Sequence, residues 1–328
     1  MIKVFVGKKS RVSYGLESTY GTEATPDRWP GIVTRVEDGG NRNDLVTVKG
    51  VDSDTLNIDA YLRAVMRRSI DITFLMQHGA LLAWVWGQDS VVDNLDGTYT
   101  HTLTESNLSS LTIEVAERDS GGDHVERYLG CKPNTFRVEW NAGNPVTHTI
   151  NVIAQDTTHP DSVTAYNTTN TAFKKYTAYD IAPLQSKQVD VTINGVDLNT
   201  TLSGSIELDN GLVAEPVCDS GLGDKIAEPF PTKREFTVNV RGYVSSDVYY
   251  DSILSMDTGD RLTGVTEVKI SRSATDYVRY TISNPIVESI SKPIDVDGER
   301  TEFTIVLKPT NVTVEVRDAI GVNYLTGV

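Results

Sequence analysis

The sequence predicts a mainly β protein: two tandem β-sandwich or barrel domains, each with a short flanking helix, behind an extended N-terminal arm. Three observations predict it. Residues 111–154 recur in diverged form as residues 267–308: each copy opens on an alternating strand, resumes after a polar loop at an Arg-Tyr step (Arg127-Tyr128, Arg279-Tyr280), and ends in a Thr/Val/Ile-rich strand. Short alternating runs bounded by Gly, Asn and Asp turns recur along the whole chain. A hydrophobic content of 39% over 328 residues supports real cores but leaves many half-exposed faces, as antiparallel sheets do.

Residues 1–30 read as an arm. Ile2, Val4 and Val6 alternate, and residues 18–26 are extended and turn-rich, a stretch that needs its own domain or a neighbouring subunit to lie on. The first domain is expected over residues 31–155. A strand from Ile32 to Glu37 stops at Asp38-Gly39-Gly40, a hairpin-type turn, and Leu45, Val46 and Val48 suggest the next. Residues 56–68 are ambiguous between helix and strand, residues 69–75 alternate, and residues 75–86 carry one helical apolar face with two tryptophans expected in the core. Strands follow at 99–103, 111–117, near 125–128, 136–140 and 148–154. Residues 156–187, rich in Thr, Asn and Pro, are expected to form a linker or an inserted loop between the halves.

The second domain is expected over residues 188–310 and repeats the order. Asn194-Gly195 is a hairpin turn, residues 202–208 stop at Asp209-Asn210-Gly211, and residues 236–240 correspond to 70–74. Each of the latter strands follows a basic pair, Lys233-Arg234 or Arg67-Arg68, and a short helix at 248–256 stands where residues 75–86 stood. Residues 311–328 give one more strand (Val312, Val314, Val316) and a polar tail.

The charge narrows the function. With 45 acidic and 30 basic side chains the net is −15, so the chain does not bind duplex DNA by neutralising phosphates; lining a tunnel, it would repel DNA and let it slide. The acid-rich composition also hints at a salt-adapted host. Cys131 and Cys218 lie in different halves and read as reduced core thiols. Neither a secretory leader nor a transmembrane run is expected, since no window approaches ~20 apolar residues. No phosphate-binding loop, dinucleotide fingerprint, HExxH or GxSxG is present, the five histidines are scattered, and no cofactor is expected, so the chain is read as a non-enzyme. Asp295, Asp297 and Glu299 form a weak calcium candidate around a Gly turn, better read as a solvated turn. Arg63, Arg67 and Arg68 are the one dense basic cluster, suited to acids of a neighbouring subunit.

Four stretches carry a likeness: ESTYGTEATP at 17–26, RYLGCKPNTF at 127–136, VTING at 191–195 followed by SIELDNG at 205–211, and the strand-then-helix at 233–256. In this ordered set the chain resembles the major tail tube protein family of long-tailed bacteriophages and archaeal tailed viruses. The resemblance implies sandwich domains whose sheets join between subunits into a lumen-lining barrel. It implies a structural virion protein of the tail, assembled in the host cytoplasm and stacked in rings that conduct viral DNA during ejection. Its implied partners are further copies of itself, a tape-measure protein, tail terminator and baseplate or tip proteins, and DNA passing an acidic lumen without specific binding; no membrane is implied. If each chain carries two tube folds, three complete a pseudo-sixfold ring, with a hexamer as the alternative. Expected subunit contacts are Tyr20, Thr22, Asp38, Arg63, Arg67, Arg68 and Asn210, on the arm, the basic cluster and the hairpin tips at 38–44 and 209–226. The competing readings are a two-domain adhesin or capsid decoration protein, which would not self-stack, and a carbohydrate-active enzyme, which would need an aromatic cleft with two carboxylates.

Overall fold

The computed structural model describes residues 11–38, 42–48, 60–119, 122–164, 170–176, 181–215, 225–243, 256–291 and 302–327. The first half runs β1 (Arg11–Leu16), β2 (Ile32–Asp38), β3 (Arg42–Val48), β4 (Ala60–Leu75), α1 (Ala80–Trp86), β5 (Gly87–Asp93), β6 (Tyr99–Glu105), β7 (Leu111–Asp119), β8 (Gly122–Asn141), β9 (Thr147–Ala154) and β10 (Asp156–Thr158). The second runs β11 (Val189–Ile193), β12 (Val196–Asp197), β13 (Thr201–Asp209), β14 (Leu212–Val213), β15 (Phe230–Pro231), β16 (Glu235–Tyr243), β17 (Glu267–Ser273), β18 (Asp276–Ser283), β19 (Ile286–Ser291), β20 (Glu302–Lys308) and β21 (Asn311–Asp318).

The two halves repeat one pairing order. In the first, β2-β4-β9-β8 make one layer and β1-β7-β8-β10 the other. In the second, β13-β16-β20-β19 and β11-β17-β18-β21 match them strand for strand. The Arg-Tyr steps fall in matching register: Arg127 and Tyr128 pair with Glu114 and Ile113, while Arg279 and Tyr280 pair with Lys269 and Val268. Both tyrosines are buried. Strict alternation drives the layering; β9, β20 and β21 each alternate half-buried and buried positions along their whole length.

β8 serves both layers because it is 20 residues long. Up to Cys131 it pairs with β7, and from Lys132 it pairs with β9. Between these runs Gly130 adopts φ 62°, and a Cβ there would lie 2.8 Å from Gln155 Cβ. A left-handed residue without a side chain is what lets the strand leave one layer for the other. The second copy lacks a Gly-Cys step, and Asn284 takes φ 46° between β18 and β19 instead. Asn tolerates this conformation better than most residues, so the same bend survives with a different sequence.

The halves share sheets and one hydrophobic core. β8 pairs with β13, giving an eight-stranded layer β2-β4-β9-β8-β13-β16-β20-β19. On the other side, the β5–β6 hairpin of the first half pairs with β21 of the second. α1 is buried along its whole length at this junction. Trp86 packs edge-on to Phe136 of β8 (5.4 Å between centroids), against Phe236 of β16 and Tyr280 of β18, and donates its indole N–H to the Val312 carbonyl at 2.7 Å. Arg234 reaches the C-terminal end of α1 and donates to the Trp86 and Ser106 carbonyls, satisfying groups a helix end leaves open. Among the described residues no sheet closes into a barrel within one chain.

Several expectations are corrected. Residues 11–16 of the expected arm are a sandwich strand, because Val12 and Tyr14 have a core to enter. Residues 17–30 lie on their own chain: Glu17 accepts from the Gly130 and Gly21 backbone and from Thr112. Gly39 and Gly40 of the expected hairpin turn lie outside the described residues, and among the described residues β2 and β3 do not pair with each other. The 16-residue β4 resolves the helix-or-strand ambiguity and pairs with β3 through its first part and β2 through its second. The helix begins at Ala80, since the alternation of Ile70, Ile72 and Phe74 runs on to the buried Met76. The 156–187 stretch opens with β10 and buries Phe173 and Leu184 in the core. β21 is central, between β18 and β6, and the tail buries Ile320 and Tyr324. The Asn194-Gly195 turn forms as expected, with both residues at positive φ. Of the helix expected at 248–256, residues 248–255 lie outside the described residues and Met256 is not helical; Cys218 and the 295–299 calcium candidate also lie outside the described residues. Cys131 is a buried free thiol whose pKa burial raises well above the ordinary range.

Candidate assembly surface

The outward side of the eight-stranded layer follows from alternation. Phe74, Ile150, Val138, Ile206, Val238 and Ile305 point into the core, so the residues between them face away from it. Cross-strand registers then line up continuous polar rows. One runs Glu37, Asp71, Asn151, Thr135, Asp209, Glu235; the next runs Arg35, Thr73, Thr149, Arg137, Glu207, Thr237, Lys308. The rows are laced sideways. Arg137 reaches Glu139 at 3.2 Å and Glu207 at 3.5 Å, Arg241 reaches Glu302 at 2.5 Å, Asn151 donates to Asp71 at 2.6 Å and Lys308 to Thr237 at 2.7 Å. Such exposed pairs add little stability, and their consequence is electrostatic. Among the described residues of this face, eight carboxylates (Glu37, Asp71, Glu139, Glu207, Asp209, Glu235, Glu288, Glu302) outnumber four cations (Arg35, Arg137, Arg241, Lys308), so it carries a net negative field.

The layer ends in two open edges. Among the described residues β2 pairs with β4 alone, and β19 pairs with β20. The start of β19 is covered by residues 259–262, through the Gly259 N–H to Val287 O and Leu262 N–H to Pro285 O bonds. Among the described residues no strand pairs with the remainder of β19 or with the outer side of β2, and such edges are a hazard in an isolated monomer and a template for another strand.

The joint inside the chain is doubled. Besides β8·β13, the β6·β21 pairing is closed by the C-terminal tail. His101 Nδ1 lies 3.0 Å from an Asp89 oxygen, its Nε2 lies 2.8 Å from the Ile320 carbonyl, and its ring stacks on Tyr324 at 3.8 Å. Tyr324 in turn donates its hydroxyl to Asp318 and its backbone N–H to Asp89. Burial alone would lower the His101 pKa, but the Asp89 hydrogen bond and charge outweigh it and hold it above the ordinary value.

A family model described as "Phage tail tube protein" matches residues 7–323. The chain belongs to the phage tail tube protein family. It is a structural protein of a phage-like tail tube. A solved structure titled "Tail of empty GTA particle computed with helical refinement, C6 symmetry" is similar at 10% identity with a TM-score of 0.26, over 38% of this chain and 92% of that one. No curated protein matches the chain.

In this tail tube protein the expected contact residues divide. Thr22 and Asp38 are exposed, Asp38 at the end of the open β2 edge. Tyr20 is half-buried over Lys132 (5.7 Å), its hydroxyl 3.5 Å from the Ala227 carbonyl. Arg68 is turned inward, donating to the Gln155 carbonyl at 3.0 Å and pairing with Asp156 at 3.1 Å. Asn210 is fully buried, donating to the Pro133 carbonyl and locking the end of β13 to β8. Arg63 and Arg67 lie in the part of β4 that pairs with β3. The structure does not gather these residues into one patch. The polar rows are not legible in the sequence, because a one-residue slip reverses every face and the sequence does not show the registers. The signal was present in the i, i+2 spacing of Arg137 and Glu139, and of Glu207 and Asp209. Among the described residues no cluster of His, Cys, Asp and Glu could hold a metal, and no helix is long and apolar enough to cross a membrane.

Proposed function

We propose that the eight-stranded polar face lines the lumen of the tail tube and that three chains close each ring with pseudo-sixfold symmetry, a hexamer being the alternative. The observation that carries this reading is the repeated pairing order: each chain holds two equivalent four-stranded staves joined edge to edge. A head-to-tail joint of the same kind between chains extends the layer, and rotation closes it. The acid surplus on the face keeps phosphates from settling on the wall, so DNA passes during ejection without specific binding. The tube assembles in the host cytoplasm, bacterial or archaeal, around a tape-measure protein, between a terminator and a baseplate or tip. Thr22, Asp38, Arg63 and Arg67 serve as subunit contacts.

The lumen assignment is tested by charge reversal. Tubes assembled from a Glu139→Lys, Glu207→Lys chain should retain duplex DNA at low salt and release it at high salt, while wild-type tubes retain none. Equal retention by the two would remove these residues from the wall.

A further inference from the structure

The joint within the chain is a template for the joint between chains. β2 corresponds to β13 and β19 to the later part of β8, because each stands in the same place relative to the matched strands β4/β16 and β9/β20. Inside the chain, Glu207 lies opposite Arg137, Ile206 opposite Val138 and Ser205 opposite Glu139. Through the matched registers, Glu37, Val36 and Arg35 stand for the first member of each pair, and Ser289, Ile290 and Ser291 for the second.

Resting on the ring reading above, we propose that β19 pairs antiparallel with β2 of the next copy, setting that copy's Glu37 opposite Ser289, its Val36 opposite Ile290 and its Arg35 opposite Ser291. Three observations favour this occupant. These pairs fall on the stretch of β19 that residues 259–262 leave open. Val36 and Ile290 are half-buried apolar residues already packed on the core, and facing each other would cover both. A cleft of about 380 Å³ lined in part by Val12, Trp29, Val33 and Val36 opens beside β2, where the next chain would close it.

The two joints differ in one respect. Within the chain a second pairing, β6·β21, backs the first. In the second half, described residues 256–266 form no hairpin, and the matching outer strand β10 is three residues long.

The test is a register-specific cross-link. Residues directly opposite in an antiparallel pair have Cα atoms ~4.5–5.5 Å apart, within the ~4.4–6.8 Å a disulfide spans, whereas diagonal neighbours lie ~7–8 Å apart. Oxidised tubes of Glu37→Cys, Ser289→Cys chains should give a covalent ladder ending at three chains. The Arg35→Cys, Ser289→Cys pair and the single variants should give at least ten-fold less. Cross-linking of the diagonal pair instead of the matched one overturns the register. A ladder ending at six leaves the joint standing and overturns the three-chain ring. In wild-type tubes, amide exchange should slow in both 32–38 and 286–291 relative to dissociated chains; well-formed tubes with no protection in either strand overturn the joint while leaving the tube reading intact.

Discussion

At the residue scale, the repeat makes the protein its own control. His148 of β9 occupies the place that Ile305 holds in β20, by the register of each with its neighbours. It stacks on Phe74 at 5.5 Å, is fully buried, and neither ring nitrogen has a hydrogen-bond partner among the described residues. Burial lowers its pKa to about 3, and that of the buried His78 to about 4. Both lie below the unfolded value, so as pH falls beneath ~6.5 the unfolded chain takes protons that the folded chain refuses, and stability drops until about pH 3–4. His101 acts oppositely: its contribution is full below the unfolded value and fades as pH rises through its raised folded pKa. Below ~6.5 His101 is protonated in folded and unfolded chains alike and does not oppose the other two, so His78 and His148 should cost the chain stability on acidification from pH ~6.5 to ~4, each adding up to ~1.4 kcal/mol per pH unit. His148→Ile should raise stability at pH 7 by ~1–3 kcal/mol and flatten that slope by one proton, as read from denaturant midpoints across pH. An unchanged slope would mean His148 does not titrate this way.

At the element scale, the strands were legible wherever one layer owned them. Residues 148–154, 236–240 and the Val312, Val314, Val316 run were expected as strands and are strands, because alternation against a single buried face is a local signal. The long elements were less legible. β4 and β8 change partners midway, so each reads as two strands or as an ambiguous run, and only the tertiary pairing shows them continuous. The helix and its tryptophans were expected in the core, yet nothing local shows that Trp86 touches β8, β16 and β18 together or that Arg234 closes the helix end from the other half. This contact predicts a cooperative molecule. Trp86→Ala should cost ~3–5 kcal/mol and destabilise both halves in one transition, followed by thermal unfolding with probes in each half. Two separate transitions would show that the halves fold independently of α1.

At the scale of the whole molecule, charge and topology point the same way. A net charge of −15 would be a solubility device on a monomer. Here an acid surplus lies on one continuous face of a sheet whose two ends have no partner strand among the described residues, and open sheet ends are templates for pairing with another chain. The sequence held the duplication in its Arg-Tyr steps and ordered turns; it did not hold the registers that reveal which strands end the layer. The central claim is that one chain supplies two of the six staves of a ring. The mass of a single ring, measured on tubes gently dissociated into free rings, tests it most directly. The mass should correspond to three chains, and a ring of six chains would contradict it.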